Sequence, residues 1–240
     1  MQDFEYFEEL AAKILDRRNI VKFERATYNL QDAADIFRAI GEQLCKTRFV
    51  VNENNQFVYQ NCLNWLLGFP FQCLNPENTK QKIPGDLKKG LYIAGPCGTG
   101  KSVLLRILAA LSNYCNIEYE ADRRKIKLVW AENRADDICN NVTTSGFESV
   151  ARLRNLDVLN INDFGSGQAE QVYMGNRVNA IRLIIESRGD SYGKFTLITS
   201  NFPMVNEIIK QQYGNRVASR LVEMCNYFEL TGEDWRKKRC

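Results

Sequence analysis

The sequence contains no histidine. That absence removes every Ser–His or Cys–His nucleophile pair, every imidazole-held metal and any imidazole general base. Close cysteine pairs are missing too. Cys45, Cys62, Cys73, Cys97, Cys115, Cys139, Cys225 and Cys240 are scattered without a Cys-x-x-Cys spacing, so zinc sites and thioredoxin-like redox motifs are unsupported and reduced, packing thiols are expected. Long apolar runs are lacking. Stretches such as Leu91 to Gly95 and Ile107 to Leu111 fall far short of the roughly 18 residues needed to span a bilayer. The opening residues, Met1 to Glu9, are acidic and show no basic-then-apolar secretory pattern. A cytoplasmic protein without a membrane partner is the expectation. Neither sign of charge dominates: a net charge of +3 permits a polyanionic partner without requiring one.

What is present is ordinary in amount and ordered in pattern. With 240 residues, 45% apolar and 25% charged, the chain can build a packed core in one or two domains, which excludes a disordered tail, a collagen-like fibre and a coiled-coil rod. Phe4, Phe7, Leu10, Ala11 and Leu15 recur at helical spacing, and so do Ala33, Ile36, Phe37, Ile40 and Leu44 within Leu30 to Leu44. A third helix is predicted from about Asn55 to Leu67, ending before Gly68-Phe69-Pro70. The polar stretch Asn75 to Lys89, with Pro76, Pro84 and Gly85, reads as a boundary between a helical N-terminal region (1–87) and the remainder (88–240). Beyond it the texture changes. Short apolar segments at Leu91–Ala94, Lys127–Ala131, Asp157–Ile161 and Phe195–Thr199 alternate with helical patterns. Such alternation predicts an α/β fold, a parallel sheet flanked by helices.

The run Gly95-Pro96-Cys97-Gly98-Thr99-Gly100-Lys101-Ser102 fits the phosphate-loop pattern Gly-x-x-x-x-Gly-Lys-Ser/Thr in full. Glycines let successive backbone N–H groups point inward around a phosphate, and the following helix offers its positive N-terminal end. Lys101 is placed to reach the β and γ phosphates, and the Ser102 hydroxyl to coordinate Mg²⁺. The expected contact set for ATP or ADP runs from Gly95 through Ser102 to Val103, the first residue of the apolar helical run. A chain of this length meets the pattern by chance roughly once in a hundred. Here an apolar strand precedes it and a helix follows, as the motif demands.

Two further strand tips carry polar groups. Leu156 to Gly165 is an apolar strand ending in Asn162-Asp163, and Phe195 to Asn201 is another ending in Thr199-Ser200-Asn201. An Asn at a sheet's carboxyl edge can orient an attacking water, although Asn201 also suits the start of a turn before Pro203.

Taken in order, the loop, the Asp157–Gly165 strand, the Thr199-Ser200-Asn201 tip and Tyr213–Met224 resemble the AAA+ ATPases of the bacterial DnaC/DnaI helicase-loader type and the IstB-type transposition helpers. The resemblance spans about residues 88 to 236. It implies a P-loop NTPase core of the AAA+ (ASCE) kind with a reduced lid, in keeping with the 39 residues (240 − 201) that follow Asn201. By the same resemblance Asn201 matches the sensor-1 residue. Arg220 matches the arginine finger, with Arg216 one turn earlier, and Arg236 matches a sensor-2 arginine. Without the resemblance, Arg216 and Arg220 read as a solvated basic helix face. The implied partners are a replicative helicase or a transposase, bound in the family by the segment before the core, together with DNA and a nucleotide-dependent homo-oligomer.

One departure from that pattern stands out. The family's strand usually ends in two acids, and here the first is Asn162, which leaves Asp163 in the catalytic position. Its amide oxygen is expected to meet Mg²⁺ only through water and brings no charge, so ready ATP binding with slow hydrolysis is expected, and Asn162→Asp is expected to quicken turnover. A small-molecule phosphoryl transferase and a non-hydrolysing nucleotide-bound scaffold remain the alternatives. Basic runs at Lys80, Lys82, Lys88 and Lys89, at Arg123, Arg124, Lys125 and Lys127, and at Lys237, Lys238 and Arg239 suit either solvent or DNA phosphates. No helix-turn-helix or zinc-finger pattern supports sequence-specific reading.

Overall fold

The computed structural model describes residues 21–22, 30–45, 49–121, 124–166, 170–191 and 193–235. The predicted helix over Phe4 to Leu15 and the candidate Arg236 lie outside the described residues, as do Arg123 and the basic run 237–239.

Eight helices and eleven strands follow one another among the described residues. Four strands make the heart of the central sheet: β4 (Gly90–Ala94), β7 (Val158–Phe164), β10 (Phe195–Ser200) and β11 (Cys225–Glu229). They run parallel in the order β11-β4-β10-β7. Each is buried on both sides, which is why its sequence reads as a near-continuous apolar run. Alternation divides the side chains between two cores. Leu91 and Ile93 of β4 face one core, with Leu104, Leu105, Ile107, Leu108 and Leu111 of α3 (Lys101–Tyr114). Tyr92 and Ala94 face the other, with Ile181, Ile184 and Ile185 of α6 (Ala180–Gly189).

The first core is closed by α1 (Leu30–Cys45) and α2 (Gln56–Leu67), both where helical spacing predicts them. Gly68 ends α2 in a left-handed conformation, φ 79°, as a helix-stopping glycine should. The second core is closed by α4 (Ala135–Ser145), α5 (Phe147–Asn155), α6, α7 (Glu207–Tyr213) and α8 (Asn215–Met224).

Two readings need correction. The polar stretch Asn75 to Lys89, read as a boundary, carries regular structure. It belongs to a hairpin, β2 (Gln72–Asn75) and β3 (Asn78–Pro84), that extends the central sheet antiparallel to β11. The sheet is therefore parallel only in its four inner strands. β3 reads as polar because it is an outer strand, exposed at Lys80 and Lys82, and charged edges of this kind discourage pairing with another chain. The segment Lys127 to Ala131 is not a strand of the central sheet. β6 ends at Lys127 (Arg124–Lys127) and pairs with β5 (Glu118–Ala121), which in turn pairs with β1 (Val21–Lys22) in a separate sheet. Farther on, Asn133 and Arg134 reach β7, joined to it by the Arg134–Asn162 bridge and the Asn162 N–H donating to Asn133 O at 2.8 Å. Asn160 lies inside β7 among apolar residues. It is 2% exposed, and its amide donates to Leu197 O at 3.3 Å. A last hairpin, β8 (Gln171–Tyr173) and β9 (Asn176–Val178), separates β7 from α6.

Candidate functional site

The loop from Gly95 to Gly100 joins β4 to α3 at the carboxyl edge of the sheet, where ligands of open α/β sheets bind. Positive φ values at Gly95 (150°), Gly98 (81°) and Gly100 (94°) give the loop its turn. Gly95 and Gly98 are also hemmed in. A Cβ at Gly95 would overlap Leu230 O, and one at Gly98 would overlap the Asp234 carboxylate. The second contact belongs to the segment after β11, which folds back across the loop and anchors there through Trp235 N–H to Gly98 O at 3.2 Å.

Lys101 opens α3 and is buried, 6% exposed. Its ammonium donates to Gly95 O at 2.6 Å, Pro96 O at 2.8 Å and Asn201 Oδ1 at 3.0 Å. The three acceptors hold the charged end inside the loop, at the start of the helix where an anion is favoured. Thr99 is also buried and ties the loop to itself, its hydroxyl donating to Pro96 O at 2.9 Å. Ser102 follows Lys101 in the first turn, and Cys97 lies exposed on the loop's outer side.

The two strand tips meet beside this loop. Thr199 Oγ1 donates to Asn162 Oδ1 at 3.1 Å and accepts from Asp163 N–H, also at 3.1 Å. Thr199 near the end of β10 and Asn201 just past it thus link Asn162 and Lys101 through one strand tip. The register between β7 and β10 shifts here, and Asp163 adopts a left-handed backbone, φ 58°. A non-glycine residue in that region carries strain that the surrounding bonds must offset. The Asp163 side chain is 40% exposed and lies 3.9 Å from the Arg134 guanidinium.

The amide of Asn162 does not behave as expected from sequence. Both lone pairs of its oxygen have partners, the Thr199 hydroxyl and the Asn160 amide at 3.3 Å. The residue is 1% exposed, and its NH₂ donates to Glu132 Oε1 at 2.7 Å. A water-mediated contact between its oxygen and Mg²⁺ would have to displace one of these two donors. Glu132 escaped the sequence reading, although it is an acid directly after the predicted strand Lys127–Ala131.

Mg²⁺ is a hard ion that takes oxygen ligands. The Ser102 hydroxyl and the carboxylates of Asp163 and Glu132 match that preference. Among the described residues no group of three or more Cys, Asp or Glu side chains converges on one point, so phosphate oxygens would have to complete the shell.

Arg216 and Arg220 sit one turn apart on α8, as their spacing requires. Neither is simply solvated. Arg220 pairs with Asp190, the C-cap of α6, and with Glu223 at 2.7 Å, while Arg216 lies 3.6 Å from Asp190. Arg220 also lies against Gly189, where a Cβ would meet its Cδ at 2.6 Å. Among the described residues no bond joins this pair to Lys101, Asn162 or Asp163. The basic runs are likewise divided: Lys80 and Lys82 lie on β3, Arg124, Lys125 and Lys127 on β6 of the other sheet, and Lys89 donates to Val222 O at 3.1 Å.

No helix among the described residues is long and apolar enough to cross a membrane. No protein-family model matches the chain, and no curated protein matches it by sequence. Solved structures do match. The DnaC helicase loader aligns at 16% identity over 76% of this chain and 93% of its own, with a TM-score of 0.49. AMPPCP-bound DnaA from Aquifex aeolicus aligns at 17% identity over 76% of this chain and 48% of its own, TM-score 0.50. A DNA replication initiation factor aligns at 17% identity over 76% of this chain and 47% of its own, also at 0.50. The chain thus spans about half the length of the last two. With its parallel inner strands, its phosphate loop after β4 and this likeness to DnaA, the chain has the P-loop fold of the AAA+ ATPases.

Proposed function

We propose that the chain is an ATP-binding AAA+ switch acting in DNA replication, of the helicase-loader kind, with ATP and Mg²⁺ as its cofactors. The observation that carries the reading is Lys101, drawn into the loop by Gly95, Pro96 and Asn201, so that a cation waits where the loop would hold phosphates. On that reading Gly95 to Val103 hold the nucleotide, Asp163 orients water and Asn201 responds to the γ phosphate. Arg216 and Arg220 act on the nucleotide of a neighbouring copy. Their pairing with Asp190 keeps both guanidinium groups on one exposed ridge until an interface forms. Fold likeness to a DnaA chain bound to AMPPCP supports nucleotide binding, and fold likeness to replication proteins supports the setting. The region before the central sheet would carry the partner-binding role, toward a replicative helicase or a transposase. DNA would be met without sequence preference.

The test is a titration with labelled ATP and sizing with a slowly hydrolysed analogue, each with and without single-stranded DNA. Lys101→Ala should weaken ATP binding at least tenfold, about 1.4 kcal/mol. Arg220→Ala should leave ATP binding intact and abolish ATP-dependent assembly, because the guanidinium acts in trans. Equal ATP affinity for Lys101→Ala and the natural chain would remove the site assignment. Transfer of phosphate to a small molecule would favour the kinase alternative.

A further inference from the structure

We propose that Glu132 is the acid that β7 lacks, a carboxylate carried on the neighbouring segment and presented to the Mg²⁺ of the site through its bond to Asn162. The proposal rests on the ATP-binding reading above and assigns a role to a residue outside every motif of the sequence.

The starting point is the 2.7 Å bond from the Asn162 amide to Glu132 Oε1. A bond between an amide N–H and a carboxylate is charge-assisted and orients both groups. The amide cannot turn over. Reversed, it would set its oxygen 2.7 Å from the carboxylate and lose acceptance from the Thr199 hydroxyl and the Asn160 amide. Glu132 is equally constrained from behind. The next residue, Asn133, accepts the Asn162 N–H at 2.8 Å and donates its side-chain amide to Asn160 O at 3.2 Å, and α4 starts at Ala135. The acid is therefore mounted on the tip of β7 almost as if it belonged to that strand.

Its position follows from the chain of contacts already described. Asn162 bonds Thr199, and Asn201, two residues on, bonds Lys101. Glu132 is joined to that row through the Asn162 amide. Asp163 lies next to Asn162 in sequence and is approached by Arg134, two residues after Glu132. The edge of the site thus holds two carboxylates, Glu132 and Asp163, the number that two acids on β7 would supply.

This arrangement reverses the expectation for Asn162→Asp. An aspartate there would place two carboxylate oxygens about 2.7 Å apart, at a separation where both cannot carry charge without a large penalty. Asn162 is then no defect of the site. It is the partner that a carboxylate at position 132 requires.

The experiment measures ATP affinity with and without Mg²⁺, and Mn²⁺ binding to the ATP complex by electron paramagnetic resonance, on the full chain. Glu132→Gln keeps an oxygen for the Asn162 amide and removes the charge. It should leave affinity in EDTA unchanged, reduce the gain brought by Mg²⁺ about tenfold, and weaken Mn²⁺ binding similarly. Asn162→Asp should also impair the Mg²⁺ gain. The exchange Glu132→Gln with Asn162→Asp, which returns the acid to β7 with an amide opposite, should restore most of it. Mg²⁺ and Mn²⁺ responses of Glu132→Gln equal to those of the natural chain overturn the role of Glu132 while leaving the ATP site standing. Failure of the natural chain to bind ATP overturns both. If Glu132→Gln melts earlier without nucleotide, the exchanged pair decides: natural stability without recovery of the Mg²⁺ gain counts against the proposal.

Discussion

Gly98 shows how closely the phosphate loop is fitted at the level of one residue. Its φ of 81° is open to glycine at little cost, whereas an L-residue there pays about 1–2 kcal/mol. The added methyl would also run into the Asp234 carboxylate. Gly98→Ala should therefore lose about 1–2 kcal/mol in urea unfolding and bind ATP more weakly, and adding Asp234→Ala should relieve the overlap without removing the backbone strain. Equal stability of Gly98→Ala and the natural chain would contradict the fitted loop. The glycine was legible in sequence as a member of the Gly95–Ser102 run, although the pattern fixes only Gly95 and Gly100 and leaves position 98 free. Asp234 was not, because contact between residues 98 and 234 depends on β11 running beside β4.

A buried arginine makes the same point away from the site. Arg188 is 1% exposed and its guanidinium donates to Leu156 O at 2.5 Å, Phe195 O at 2.6 Å and Thr196 Oγ1 at 2.9 Å. Burial pulls its pKa down to about 10. Arg188 ties the end of α5 to the start of β10, and its place in α6 reads in sequence as an ordinary basic last turn.

At the scale of elements, one side chain of β11 holds the turn by which the hairpin β2–β3 leads into β4. Asn226 is 3% exposed, accepts Asp86 N–H at 2.9 Å, and donates to Asp86 O at 2.8 Å, Gly90 O at 3.0 Å and Lys89 O at 3.2 Å. It thereby fixes the turn that leads from β3 into β4. Trp65, fully buried on α2, adds a bond from its indole N–H to Lys89 O at 2.8 Å. Removing the Asn226 amide leaves the Asp86 N–H without its acceptor and takes one of two donors from Lys89 O and from Asp86 O, and a group left unsatisfied costs about 1–3 kcal/mol. Asn226→Ala should lower stability by about 2–4 kcal/mol, with loss of hydrogen-exchange protection concentrated in residues 72–89. Uniform loss across the sheet, or none, would show that other contacts hold the hairpin. The inner strands and α1 to α3 were readable from periodicity. The hairpin was not, since a polar edge strand and a polar linker have the same composition.

For the molecule as a whole, the lack of histidine predicts a flat response to pH. No side chain of ordinary pKa titrates between about pH 6 and 8 in a chain without imidazole. Change should come on the alkaline side. Burial pushes the Cys139 thiol up to about 11, Cys225 up to about 12 and the Tyr213 phenol up to about 12. In the unfolded chain such thiols lose their protons from about pH 9, while the folded chain keeps them. The unfolded state then binds fewer protons, so stability is full below about pH 9 and falls as pH rises toward 11 and 12. Urea midpoints constant from pH 6 to 8 and declining above 9 are the expected result. A decline already between pH 6 and 8 would contradict it.

Sequence by itself determined the nucleotide loop, the strands that bracket it, the helices of regular spacing and the chemistry ruled out by the missing histidine. Each of these depends on neighbours within a dozen residues, through backbone conformation, periodicity or the bare presence of a side chain. Tertiary structure decided which polar groups meet. It brought Glu132 to Asn162, Asp190 to Arg216 and Arg220, Asn226 to the turn at Asp86, and Asp234 to Gly98. Partners of this kind are 30, 26 and 30, 140 and 136 residues apart along the chain. A carboxylate or an amide bonds whatever the fold places within about 3 Å of it, and no local pattern records that distance.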